Sequence, residues 1–337
     1  MYNTNFYIRW YKTGILLIIL MVGVGGITRL TDSGLSIVDW KPIFGIIPPL
    51  SDADWIEEFN HYKQYPEYKK INNQINLSNF KNIYFWEYFH RLLGRIIGLY
   101  FLFPFLYLIL KKQIDREHFF KIGGVILLIV CQGLLGWYMV KSGLAKSPHI
   151  SHFRLMLHFL AAMLLLIYCY YLYLQSKESD SYVVTISRRN LYILSALIFF
   201  QIIYGTFTAA LNAGYAYNTF PYMDGSIFPW ILFSGNTLFQ NLFINPYTIQ
   251  FIHRMLGTIL FISSLYIIFI EFKNKRFNLT NSLELQLGLL ILIQFILGVS
   301  TLILSVPLIL AILHQVNTCI ILLKCTDLYY YSRTNSK

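Results

Sequence analysis

Two stretches of this chain read alike: Glu87-Tyr-Phe-His90-Arg91-Leu-Leu-Gly94 and Gln250-Phe-Ile-His253-Arg254-Met-Leu-Gly257. Two more histidines share a second context, Leu157-His158 and Leu313-His314. Neutral imidazole is a common metal ligand, and four such residues in repeated settings point to metal binding. The first copy adds a carboxylate. Glu87, three residues before His90, lies on the same helical face, and Gln250 takes that place in the second copy. A carboxylate can accept a proton or stabilise positive charge, whereas an amide can only hydrogen-bond. Arg29 and Asp32 likewise become Ala209 and Asn212, which leaves ionisable chemistry to the first half. One working site and one structural site are expected.

The elements that must hold these residues are membrane helices. Hydrophobic residues make up 56% of the 337 positions and charged residues 13%, too apolar and too clustered for one soluble core. Spans of bilayer-crossing length are predicted at roughly residues 13 to 30, 84 to 110, 122 to 140, 153 to 174, 190 to 211, 248 to 270, 283 to 304 and 307 to 323. Ser305-Val306-Pro307 leaves room only for a tight antiparallel turn between the last two. Aligning the halves on the His-Arg motif brings Gly25-to-Gly34 onto Gly205-to-Gly214, and Gln132-x-x-Leu135-Gly136 onto Gln294-x-x-Leu297-Gly298. The fold class is therefore an all-α membrane protein, its eight transmembrane helices forming two pseudo-symmetric four-helix bundles in parallel orientation. The expected boundaries are 1–175 and 185–325, followed by a cytoplasmic tail at 326–337.

Basic residues set the orientation. With the N-terminus cytoplasmic, most Lys and Arg fall inside, including Arg9, Lys12, Lys111, Lys112, Arg188, Lys275, Arg276, Arg333 and Lys337, while Asn212 to Thr248 has none. Both termini are then cytoplasmic. The net charge of +11 sits in short turns at helix ends, so it anchors the protein in the membrane rather than marking a nucleic-acid surface. The first apolar run lacks a cleavage site or an Arg-rich presequence and reads as a retained helix, as in a bacterial inner membrane protein. Cys131, Cys169, Cys319 and Cys325 fall in or at the ends of spans and read as buried small residues. The outer loop at about 31 to 83 is too long for a simple connection and is expected to fold as a cap with short helices over the first site.

His90, His158, His253 and His314 each lie near the outer end of an even-numbered span, which places them at one depth. Polar side chains inside a spanning helix are costly and default to functional roles. Two histidines facing across a four-helix bundle can supply both axial ligands of a haem, and one haem per half uses all four. A di-iron centre would need several carboxylates with Glu-x-x-His from two helices of the bundle, and only one such element lies in a span here. Arg91 and Arg254, beside the histidines, can pair with haem propionates or snorkel to the interface. Gly94, Gly98, Gly136, Gly257 and Gly298 allow close approach of helices or of a flat macrocycle. His61, His118, His149 and His152 read as solvent-side residues.

Beyond the His-Arg motif, the runs Gly26-Ile-Thr-Arg-Leu-Thr-Asp-Ser-Gly-Leu-Ser-Ile-Val-Asp-Trp-Lys-Pro42 and Tyr62-Lys-Gln-Tyr-Pro-Glu-Tyr68, with Glu87-Tyr-Phe-His-Arg-Leu-Leu-Gly-Arg95, resemble the haem A synthase family, in its alphaproteobacterial and mitochondrial subtype. The resemblance spans essentially the whole chain. It implies oxidation of the C8 methyl of haem O to a formyl group, giving haem A for cytochrome oxidase. It further implies that His253 and His314 ligate a resident haem b (iron protoporphyrin IX), while His90, His158 and Glu87 serve haem O. Haem O synthase, the cytochrome oxidase assembly machinery and a second copy of the chain are the implied partners. Another branch of the family carries a cysteine pair in the first outer loop, and this chain has none there. A non-enzymatic cytochrome b or an oxidase assembly factor is the alternative, and a cytochrome b that moves electrons across the bilayer would need ligands at two depths.

Overall fold

The computed structural model describes residues 4–40, 44–145, 148–177, 182–223, 225–274, 276, 278–279 and 281–334. Lys41 and Pro42 of the loop motif and the basic residues Lys275 and Lys337 lie outside them. Among the described residues eight helices are long and apolar enough to cross a membrane, and three shorter α-helices accompany them. The chain divides into two compact units, Met1–Cys169 and Tyr170–Lys337.

In the first unit α1 (Thr4–Leu30) packs on α4 (Leu77–Leu110), which also meets α5 (Arg116–Ala145), and α6 (His152–Ser176) belongs to this unit up to Cys169. Hydropathy alone starts α1 too late. Its first turns carry Tyr7, Trp10 and Tyr11, all buried, and Trp10 Nε1 donates to the carbonyl of Tyr100 at 3.2 Å. Buried aromatics thus extend the helix past the polar residues that end the apolar run. α4 likewise begins before its apolar stretch, because Asn76 caps it by accepting from the amide of Asn79 at 2.9 Å.

The long loop does fold. It holds α2 (Asp52–Tyr62), opened by a Ser51 and Asp54 capping box, and α3 (Pro66–Lys70), with proline in its first turn. Val38, Phe59, Tyr62, Phe80 and Tyr84 form its core, with Trp55, Tyr65 and Tyr68 packed around them. α2 rests on α4 and α3 on α5, so this core ties the cap to the helices beneath.

In the second unit α9 (Pro246–Lys273) packs on α7 (Arg188–Ala210) and on α10 (Leu283–Ile303). α11 (Leu308–Thr334) then closes the ring against α10 and α7. Ser187, Asn245 and Ser282 cap α7, α9 and α10 through their side chains, and α8 (Leu238–Phe243) lies in the loop before α9. The α10 to α11 turn is as tight as its sequence implied, with Ser305 and Val306 at φ of 58° and 60° ahead of Pro307. Residues 326–334, expected as tail, instead continue α11: Asp327 accepts from Tyr170 Oη at 2.7 Å and pairs with Lys324 at 2.7 Å. Those contacts satisfy both oxygens of the Asp327 carboxylate. The repeat is visible in the backbone too, since Asp32 and Asn212, equivalent residues just past α1 and α7, are both left-handed, at φ of 49° and 52°. Asp and Asn are among the side chains that tolerate that conformation best.

Candidate functional site

Each unit places two histidines on facing helices. His90 on α4 and His158 on α6 lie within electrostatic reach of each other, as do His253 on α9 and His314 on α11. All four are half-buried. Each imidazole lies against a glycine of a neighbouring helix. A β-carbon on Gly205 would sit 2.9 Å from His253 Cε1, and one on Gly298 would sit 2.9 Å from His314 Cε1. In the first unit the equivalent distances are 3.2 Å from Gly25 to His90 Nε2 and 3.3 Å from Gly136 to His158 Cε1. The repeated Gly25/Gly205 and Gly136/Gly298 positions are therefore seats for the rings. That contact needs the absence of a side chain, whatever else the glycines allow.

The arginines hold the rims. Arg91 donates through Nη2 to the carbonyl of Ile37 at 2.8 Å and through Nη1 to that of Asp39 at 3.1 Å. Arg254 donates to the carbonyls of Tyr217 at 2.5 Å and Thr219 at 2.8 Å, with a longer contact to Tyr222 at 3.4 Å. Ile37 and Tyr217, and Asp39 and Thr219, are equivalent when the repeat of α1 and α7 is carried on without a gap. In both units the guanidinium fixes the segment that leaves the first helix.

The two units part company at the residue three before the histidine. Glu87 is buried, and its Oε2 accepts from Ser36 Oγ at 2.7 Å and from the amide of Ile37 at 2.8 Å, while Oε1 pairs with Arg91 at 2.7 Å. Gln250, buried as well, turns its Nε2 to the carbonyl of Tyr217 at 3.1 Å and its Oε1 to Arg254 at 3.3 Å. The carboxylate is thus bound by three donors, one helical turn from His90. Sequence reasoning found Glu87 and Arg91 but not Ser36 or the Ile37 amide; the ungapped repeat running on past Gly34 was the signal for that segment.

The donor set fits a haem better than a bare ion. Among the described residues no three His, Cys, Asp or Glu side chains gather to hold a metal. A pair of imidazoles must then be completed by ligands that a macrocycle brings with its iron. Arg254 Nε is buried without a hydrogen-bond partner, a donor suited to a propionate. Cys131, Cys169, Cys319 and Cys325 are free thiols.

Fold and site together define a multi-pass membrane protein with a pair of histidines on facing helices in each of two related units. The profile of the family described as cytochrome oxidase assembly protein, COX15-CtaA, matches residues 8–326. The chain is 44% identical over 314 residues to the heme A synthase of Nitrosospira multiformis, covering 91% of this chain and 87% of that one. It is 43% identical over 336 residues to the heme A synthase of Flavobacterium psychrophilum, covering 97% and 98%, and 43% identical over 311 residues to that of Wolbachia pipientis wMel, covering 91% and 87%. This chain belongs to the COX15-CtaA family of cytochrome oxidase assembly proteins.

Proposed function

We propose that this chain is a haem A synthase of a bacterial inner membrane, which oxidises the C8 methyl of haem O to a formyl group. The observation that carries the reading is the pairing of His90 with His158 and of His253 with His314, each ring seated on a glycine, in a chain this similar to heme A synthases over nearly its whole length. His253 and His314 hold a resident haem b, and His90 and His158 hold haem O as substrate. Bound haem b supplies one-electron redox chemistry at a fixed point. The absence of a cysteine pair from the first outer loop favours the alphaproteobacterial and mitochondrial subtype.

Glu87 sets the first pocket apart. Its ionised form is held by Ser36, the Ile37 amide and Arg91, which fixes negative charge beside the pocket where positive charge develops on an oxidised methyl carbon. The same carboxylate anchors Ser36 and Ile37 of the segment that follows α1. In the second unit Gln250 provides the anchoring without the charge, as suits a pocket that only retains its haem. Arg254 Nε is placed for a propionate.

The test is co-expression with haem O synthase and mass spectrometry of the extracted haems. Haem A should accumulate only with this chain present. Its absence, with haem O made and the chain in the membrane, would leave a haem-binding assembly factor as the better reading.

A further inference from the structure

The two histidine pockets differ in what lies behind the ligand on the last helix of each unit. Behind His314 a closed set of hydrogen bonds surrounds Gln294. Its Nε2 donates to the His314 carbonyl at 2.9 Å and to Thr318 Oγ1 at 3.0 Å, and its Oε1 accepts from Asn317 Nδ2 at 2.8 Å. Asn317 is buried and also donates to the carbonyl of Leu290 at 3.0 Å. His314 Nδ1 faces the Gln294 carbonyl at 3.1 Å. A carbonyl can only accept, so Nδ1 carries the proton and Nε2 presents its lone pair, here to Gln294 Nε2 at 3.3 Å. A second partner of this kind fixes the tautomer and plane of a ligating imidazole.

Behind His158 the network is missing. With the histidines aligned, Ala161 and Ala162 occupy the places of Asn317 and Thr318. Gln132, the equivalent of Gln294, keeps only its bond to the His158 carbonyl at 3.1 Å. Gln132 Oε1 and His158 Nδ1 are both buried without a hydrogen-bond partner. Helix packing points the same way. α10 packs extensively on both α9 and α11, whereas α5 buries only Ile122, Val125 and Gly143 and meets its neighbours sparsely.

We propose that Asn317 and Thr318, acting through Gln294, form a retention lock on the His314 pocket, and that Ala161 and Ala162 leave the His158 pocket open to exchange of its haem. This rests on the division into resident haem and substrate haem given above. The lock residues are positioning residues. They hold the imidazole that holds the iron, and their deletion from the first unit lets a substrate arrive and a product leave.

The test compares two double variants of the full chain, co-expressed with haem O synthase and purified, by haem content per chain, optical spectrum and midpoint potential. N317A/T318A removes the lock and should weaken haem b retention about tenfold. It should also move the potential of any remaining haem b upward, because a looser Nδ1 hydrogen bond makes the imidazole a weaker donor. A161N/A162T transplants the lock and should raise the haem O and haem A that copurify several-fold while slowing haem A release. Parental haem content and potential in both would overturn the lock. If N317A/T318A does not fold, A161N/A162T decides alone, since it leaves the second unit untouched. His314→Ala is run beside them. If it keeps its full haem b, the assignment of the resident site has failed. If it loses haem b while both double variants behave as the parent, only the lock is wrong.

Discussion

Glu87 and Arg91 form an ion pair of 2.7 Å one helical turn apart, and both also bind the segment after α1, the carboxylate at the Ile37 amide and the guanidinium at the Ile37 carbonyl. A single residue of that segment is thus gripped on both of its peptide groups. Glu87→Gln keeps the shape but loses the charge, and its amide nitrogen cannot accept from Ile37. Hydrogen bonds to charged groups contribute about 1.5 to 3 kcal/mol, so haem A formation should drop roughly tenfold to a hundredfold. Haem b content should stay at the parental level. Unchanged haem A yield in membranes of the variant would remove Glu87 from the reaction.

The glycine seats predict a sharper effect than their small size suggests. Gly205→Ala or Gly298→Ala places a β-carbon 2.9 Å from the imidazole of His253 or His314, and the ring must move. Haem b retention should fall at least about tenfold, in line with a ligand bond that no longer meets the iron squarely. Gly123→Ala on α5 is the control, because its β-carbon would meet nothing within 4 Å. Equal Soret absorbance in all three variants would contradict the seating.

Much of this was legible in the sequence, and the reasons are physical. Spans declare themselves because apolar runs cannot be hidden, and duplication declares itself through His90 and His253 in matched motifs. The ends of helices were less legible. Trp10 and Tyr11 are buried aromatics that hydropathy undervalues, and Asp327 lies within the helix with Tyr170 and Lys324 as its partners. The rim contacts of Arg91 and Arg254 were not legible at all, since their partners are backbone carbonyls, which every residue carries. Asn317 and Thr318 read as ordinary polar residues until the helices bring Gln294 beside them.

The rim arginines should not tolerate replacement by lysine. Arg254 reaches the carbonyls of Tyr217 and Thr219 with separate nitrogens of one planar group, and a single ammonium cannot reproduce that fork. Arg254→Lys should lower the thermal midpoint of haem loss by several degrees, about what a deficit of 1 to 3 kcal/mol produces in a unit of this size. A melting curve that overlays the parent would show that the clamp contributes nothing.

The cap should respond to pH through Glu67. Burial raises its carboxyl from 4.5 to about 8, although Tyr62 Oη donates to it at 2.9 Å. In the folded cap the group stays protonated across that interval, whereas an unfolded chain releases the proton near the ordinary value. Stability of the cap is therefore greatest below about 4.5, falls as pH rises, and levels off above about 8. Limited proteolysis of the 44–76 segment should accelerate over that window in the parent and lose most of its pH dependence in Glu67→Gln. A parental rate that is flat from acid to alkaline pH would contradict the burial of this carboxyl.

The division between a resident and a substrate haem is tested most directly by counting haem b and haem O in purified His90→Ala, His158→Ala, His253→Ala and His314→Ala proteins. The account predicts that the last two lose haem b and its bis-histidine spectrum, while the first two keep haem b but neither hold haem O nor form haem A. Full haem b in His253→Ala and His314→Ala, or its loss in His90→Ala and His158→Ala alone, would contradict it.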